Sequence, residues 1–200
     1  MFIQVIQGRI SDATGLKRQM DRWREELLPG AAGYLGSTFG VTADGEAIGI
    51  ARFESADAAA RNSDRPEQGA WWSETEKLFS GPVTFHDTDE VDVFLAGGSD
   101  DAGFVQVMQG QITDLARLQK AEEEGKELLA AHRPDLIGSI RARYGDGEFT
   151  DVAYFTSEAE ARAGEAKPLP DEAAANFSAW QESVKVERWY DLTDPWFISP

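Results

Sequence analysis

Phe2–Asp12 reads FIQVIQGRISD, and Phe104–Asp114 reads FVQVMQGQITD. Seven of these eleven positions are identical at an offset of 102. The offset then holds without a gap. Leu16 and Leu27 match Leu118 and Leu129, Gly36-Ser37 matches Gly138-Ser139, Asp44-Gly45-Glu46 matches Asp146-Gly147-Glu148, and Phe53 and Ser55 match Phe155 and Ser157. A repeat this long is no solenoid unit. It has the size of a small domain, so the chain reads as one domain duplicated and fused.

Each copy gives the same series of elements. In the first, Phe2 to Gln7 is a strand and Gly8 ends it. Ser11 or Asp12 caps a helix whose apolar residues Leu16, Met20, Trp23 and Leu27 form one stripe of a 3.6-residue period. Pro29-Gly30 stops it. Strands near 34–41 and 47–53 flank the turn signal Asp44-Gly45. Ser55 or Asp57 opens a second helical region, a helix around 69–79 carries Trp71 and Trp72, and 83–87 is a fourth strand. Val91 to Leu95 either extends that strand or crosses to the other half. The second copy repeats the series with strands at 104–109, 136–144, 149–155 and 184–191, and helices at 114–131, 157–166 and 171–183. The expected organisation is a first repeat at 1–95, a linker AGGSDDAG at 96–103, and a second repeat at 104–200.

The order β-α-β-β-α-β is the ferredoxin-like split βαβ unit. The fold class is therefore α+β. Such a unit carries helices on one sheet face, and an apolar second face needs cover. Two copies in one chain are expected to cover each other, sheet to sheet, as a pseudo-dimeric α+β barrel.

Bulk properties exclude several functions. The formal net charge is -17, which argues against nucleic acid or an anionic membrane as partner, because Lys and Arg carry such binding. The chain has no Cys, which removes disulfides, thiolate catalysis and Cys-ligated metals. No apolar run approaches the roughly 20 residues of a membrane span. A cytoplasmic protein is expected. The two histidines, His86 and His132, stand alone, so no metal site is expected.

Each half resembles a dimeric α+β-barrel domain of the antibiotic-biosynthesis-monooxygenase type. The resemblance rests on the short first strand ending in Gly, on PGAAGYLGS before strand two (29–37), and on the Phe-x-Ser-x-x-x-Ala passages at Phe53–Ala59 and Phe155–Ala161. It implies a pocket between each sheet and its helices, roofed by the second helical region. It also implies oxidation of a small hydrophobic or aromatic molecule without a cofactor as one activity of such a fold. Haem-degrading relatives would carry an Asn on the first strand, with a Trp and a ligating His. Gln4 and Gln106 stand in the Asn position here.

The candidate residues follow from type and place. Gln4 and Gln106 are polar amid apolar strand neighbours and could hold a ligand carbonyl or phenol, or make a structural bond. Trp71, Trp72 and Trp180 lie on roof helices, as core or as a wall for a flat ligand. Adjacent helix residues point about 100° apart, so Trp71 and Trp72 cannot fill one pocket equally. His86, with Tyr190 as counterpart, is a candidate base, and Gln4 joins it as a catalytic candidate. Arg52, Arg141 and Arg143 lie on strands, where each pairs with a carboxylate or binds an anion. Tyr154 offers a hydroxyl.

Three functional readings result. The first is a monooxygenase-like protein that binds a small hydrophobic molecule and oxidises it. The second is a non-catalytic binder of such a molecule. The third is a haem enzyme of the chlorite-dismutase-like class, also built of two ferredoxin-like halves, with His132 or His86 as the iron ligand. The chain is expected to be a monomer with an internal pseudo-dimer, or a homodimer joined through exposed Trp196 and Phe197.

Overall fold

The computed structural model describes residues 1–171 and 173–200 in full. Along the chain the elements are β1 (Phe2–Arg9), α1 (Ala13–Arg22), β2 (Tyr34–Val41), β3 (Glu46–Phe53), α2 (Ala56–Ser63), α3 (Pro66–Thr75), β4 (Thr84–Thr88) and β5 (Val91–Leu95). They continue with β6 (Phe104–Ile112), α4 (Leu115–His132), β7 (Leu136–Tyr144), β8 (Glu148–Phe155), α5 (Glu158–Glu165), α6 (Asp171–Ser183), β9 (Val184–Leu192) and β10 (Trp196–Ile198). The tandem α+β repeat expected from the sequence is present.

The strands form two five-stranded sheets, in the orders β10-β2-β3-β1-β4 and β5-β7-β8-β6-β9. The chain divides accordingly into one unit of Met1–Val91 with Asp194–Pro200, and another of Asp92–Thr193. Each sheet thus takes its fifth strand from the far side of the linker. Val91 to Leu95 crosses rather than extends: β5 lies beside β7, tied by Arg143 Nε donating to Asp92 at 2.8 Å. Conversely β10 pairs with β2, where the Tyr34 hydroxyl bonds Ser37 Oγ at 2.6 Å and the Ile198 carbonyl at 3.2 Å. This pairing corrects the reading of Trp196 and Phe197 as exposed. Both are half-buried, opposite Phe39 and Thr38.

Local signals act identically in both copies. Asp12 and Asp114 cap the first helices through the backbone N–H groups of Gly15 and Arg117, at 2.8 and 3.0 Å. Ser55 and Ser157 cap the second helices through Ala58 and Glu160. The hairpin glycines Gly45 and Gly147 take φ of +88° and +82°, which only glycine adopts without strain.

In the first unit, α1 and α3 cover the sheet face carrying Phe39, Ala51 and Phe53. Met20, Trp23, Leu27, Tyr34, Phe53 and Trp71 are buried there as one cluster. Helix α1 ends in a π-helical turn, Trp23–Leu27. The freed Leu27 carbonyl accepts from both terminal nitrogens of Arg65, at 3.0 and 3.1 Å. The second unit keeps α4 regular. Gly125 replaces Trp23, and its position meets Asn176 of α6 at an ordinary packing distance.

Candidate functional site

Ile6 on β1, Phe39 on β2 and Ala47 on β3 form the floor of a small cavity in the first unit; Leu16 and Met20 of α1 and Trp71 and Trp72 of α3 cover it, with Phe79 at one side. Its volume is about 20 Å³. That is room for roughly one water, far below the several hundred Å³ of a drug-sized ligand. Among the described residues, no titratable side chain lines it. Phe39 lies flat over Gly49, where a Cβ would fall 2.0 Å from the ring. Trp71 is buried and donates its indole N–H to the Gln19 carbonyl at 2.8 Å. Trp72 is half-buried and packs on two further rings, Phe79 at 6.3 Å and Phe85 edge-on at 5.3 Å between centroids. Phe85 is 49% exposed. Trp72 and Phe79 therefore form the solvent side of the cavity, with Phe85 packed outside against Trp72.

The equivalent face of the second unit is charged. Register pairs Arg141 with Asp151 as it pairs Phe39 with Gly49. Arg141 donates Nε and a terminal nitrogen to Asp151 Oδ2 at 3.1 and 2.8 Å, and two terminal nitrogens to Glu122 of α4 at 3.2 and 2.6 Å. Glu122 stands in the Met20 position. Arg141 and Asp151 are buried, and Asp151 Oδ1 has no hydrogen-bond partner. Burial pulls the Arg141 pKa down, but Asp151 and Glu122 outweigh it and hold the guanidinium charged more firmly than free arginine. Phe149, in the Ala47 position, is buried under the Arg141 guanidinium, 5.9 Å from its ring centroid.

A second polar motif is common to both units. Gln4 Nε2 donates to Asp87 Oδ2 at 3.3 Å, and Gln106 Nε2 to Asp191 Oδ1 at 3.0 Å. Each joins the first strand of its sheet to the edge strand beside it. Gln106 is buried and Gln4 only half-buried. In the second unit Asp191 also accepts from Arg162, whose guanidinium lies 5.1 Å from the centroid of Phe104.

No family model matches the sequence, and no curated protein does. Solved structures do. A proposed monooxygenase from Lactobacillus acidophilus superposes with a TM-score of 0.72 over 96% of this chain and 92% of its own, at 14% identity. One from Fusobacterium nucleatum reaches 0.71 over 96% and 90%, at 8% identity. An anthrone oxidase-like protein reaches 0.65 over 100% and 94%, at 9% identity. The fold is that of these monooxygenase-named structures, with its α+β repeat present twice in tandem. At such identities the likeness concerns architecture, since activity resides in the site and not in the fold.

Within this monooxygenase-type fold the expected residues separate by sheet face. Residues paired across a sheet share a face. Gln4 pairs with Ala51 and Asp87, and so shares the helix-covered face with Ile6, Phe39, Trp71 and Trp72. His86 pairs with Val5, and Arg52 with Ile3, which puts both on the opposite face. His86 and Gln4 therefore do not converge on one site. Arg52 lies over Gly36 at the bulge of β2, with its buried Nε unpartnered. Tyr154 occupies the matching place in the second unit, opposite Gly138, fully buried. Trp180 packs with Leu118, Phe149 and Val184 and stacks on Phe177. His132 ends α4, its buried Nε2 unpartnered. Among the described residues, no group of three or more His, Cys, Asp or Glu is placed to hold a metal, and no helix is long and apolar enough to cross a membrane.

Sequence reasoning missed Phe39 and Phe79 as lining. It also missed Asp87 and Asp191 as the partners of the glutamines.

Proposed function

We propose that the protein binds a small hydrophobic or aromatic molecule on the helix-covered face of the first sheet, between Phe39 below and Trp71 and Trp72 above. One observation carries this reading. The cavity there is apolar, lined by aromatic rings, and closed on its solvent side by half-buried Trp72. Entry of a ring requires Trp72 and Phe79 to swing outward over Phe85, because the closed space holds little more than a water. Gln4, held by Asp87 on the same face, is the hydrogen-bond donor available to a ligand carbonyl. Anthrone titrated against the protein should quench tryptophan fluorescence saturably, and Trp72→Ala should weaken binding at least tenfold. Unchanged fluorescence at saturating anthrone would remove the proposal.

Cofactor-independent oxidation of that molecule is a second reading. It is favoured by the monooxygenase and anthrone oxidase-like names of proteins that superpose over nearly the whole chain. The substrate would lose an acidic C–H proton and its carbanion would react with oxygen, the protein contributing desolvation. With no titratable side chain on the cavity wall, the proton would leave to solvent, so the rate should rise with pH along the substrate's own ionisation. Oxygen consumption with anthrone, compared with the same buffer lacking protein, separates oxidation from binding alone.

A further inference from the structure

Among the positions that differ between the two helix-covered faces are Met20, Phe39, Ala47 and Gly49 in the first unit, where the second has Glu122, Arg141, Phe149 and Asp151. Each pair is related by the repeat offset of 102, and the three strand pairs hold the same place in the register. We propose that these four positions decide where a ligand binds, so that the chain takes one apolar ligand, in the first repeat only. The inference rests on the binding reading above and adds its stoichiometry and the residues that set it.

The second face is shut in two ways. Phe149 puts a buried ring where Ala47 leaves only a methyl group, which occupies the volume. The Glu122–Arg141–Asp151 triad is then held by four charge-assisted hydrogen bonds, two of which tie α4 to the sheet. An apolar ring entering there must separate a buried ion pair without offering it any hydrogen bond, and that penalty exceeds what burying the ring returns. In the first unit the same displacement moves only Met20 and aromatic side chains, whose contacts a ring can replace. Gly49 contributes by letting Phe39 lie flat, which keeps the floor of the cavity low.

Calorimetric titration with 2-naphthol tests this in the full chain. The wild type should bind one equivalent. Ala47→Phe, which copies the second repeat into the first, should weaken binding more than tenfold while circular dichroism stays native. The combined exchange Glu122→Met, Arg141→Phe, Phe149→Ala and Asp151→Gly should raise the count to two equivalents. Two equivalents in the wild type, or full affinity in folded Ala47→Phe, would overturn the inference. So would a folded exchange variant that still binds one. Should the exchange variant fail to fold, the wild-type count and Ala47→Phe decide between them. A wild type that binds no naphthol overturns the binding reading itself, an outcome distinct from binding in the wrong place or number.

Discussion

Arg141 occupies in the second sheet the place that Phe39 occupies in the first, and bonds Asp151 at 2.8 Å where Phe39 rests on Gly49. Removing one member of a buried ion pair strands the other charge, which typically costs about 3–5 kcal/mol, whereas replacing the whole group by apolar residues is often neutral. Arg141→Met should therefore destabilise the chain by about that much, since Asp151 and Glu122 then face each other unneutralised. Glu122→Met with Arg141→Phe and Asp151→Gly, which restores the first repeat's solution, should recover most of the loss. Urea unfolding of both variants checks it, and the triad is structurally dispensable if they prove equal to wild type.

The glutamine pair should show the same asymmetry on a smaller scale. Gln106 is buried and its partner Asp191 also accepts from Arg162, while Gln4 and Asp87 stand nearer solvent. Losing a buried hydrogen bond costs about 1–2 kcal/mol and an exposed one about 0.5 or less. Gln106→Ala should lower the urea midpoint clearly and Gln4→Ala barely. For ligand binding the order reverses, because only Gln4 shares a face with the open cavity.

Architecture was legible in the sequence because it was written twice. The paired caps Asp12/Asp114 and Ser55/Ser157 and the paired turns at Gly45 and Gly147 each predict the same element independently, and both copies agree. The site was less legible. His86 and Gln4 look adjacent as polar residues on neighbouring strands, but strand alternation sends them to opposite faces, and only the register with β1 reveals it. β10 escaped, and the crossing of β5 stood only as one of two alternatives, because their exchange depends on pairing over long sequence distances, which no local pattern encodes. Arg141 was visible as a strand arginine. Its meaning required noticing that Met20, Phe39 and Gly49 had all changed together at one offset.

Tyr144 gives the chain an alkaline limit. Burial first, with some repulsion from Glu148, pushes its phenol up to about 12 from an ordinary value near 10, against the opposing bond to Thr150. The unfolded chain then ionises at lower pH than the folded one. Stability is complete below about pH 10 and falls as pH rises from 10 to 12, by about 2–3 kcal/mol in all. Tyr144→Phe should flatten that fall. Urea midpoints measured between pH 9 and 12 test the sign, and a wild-type curve as flat as the variant's contradicts it.

The neighbouring tryptophans should divide stability from binding. Trp71 is buried among Met20, Trp23 and Phe53 and hydrogen-bonded to the Gln19 carbonyl. Trp71→Ala leaves a large hole and removes one of the two hydrogen bonds to the Gln19 carbonyl, so a loss of about 3–5 kcal/mol is expected. Trp72 is half-buried, packed at the margin of that cluster and against the rings of Phe79 and Phe85. Its truncation should cost about 1–2 kcal/mol, in keeping with partial burial. If Trp72 is the wall that moves to admit a ring, Trp72→Ala should lose ligand affinity out of proportion to that small change. Trp72→Phe, which keeps an aromatic face, should retain most of the affinity. Equal affinity losses at the two positions, each scaling with its loss of stability, would mean that both residues serve only as core.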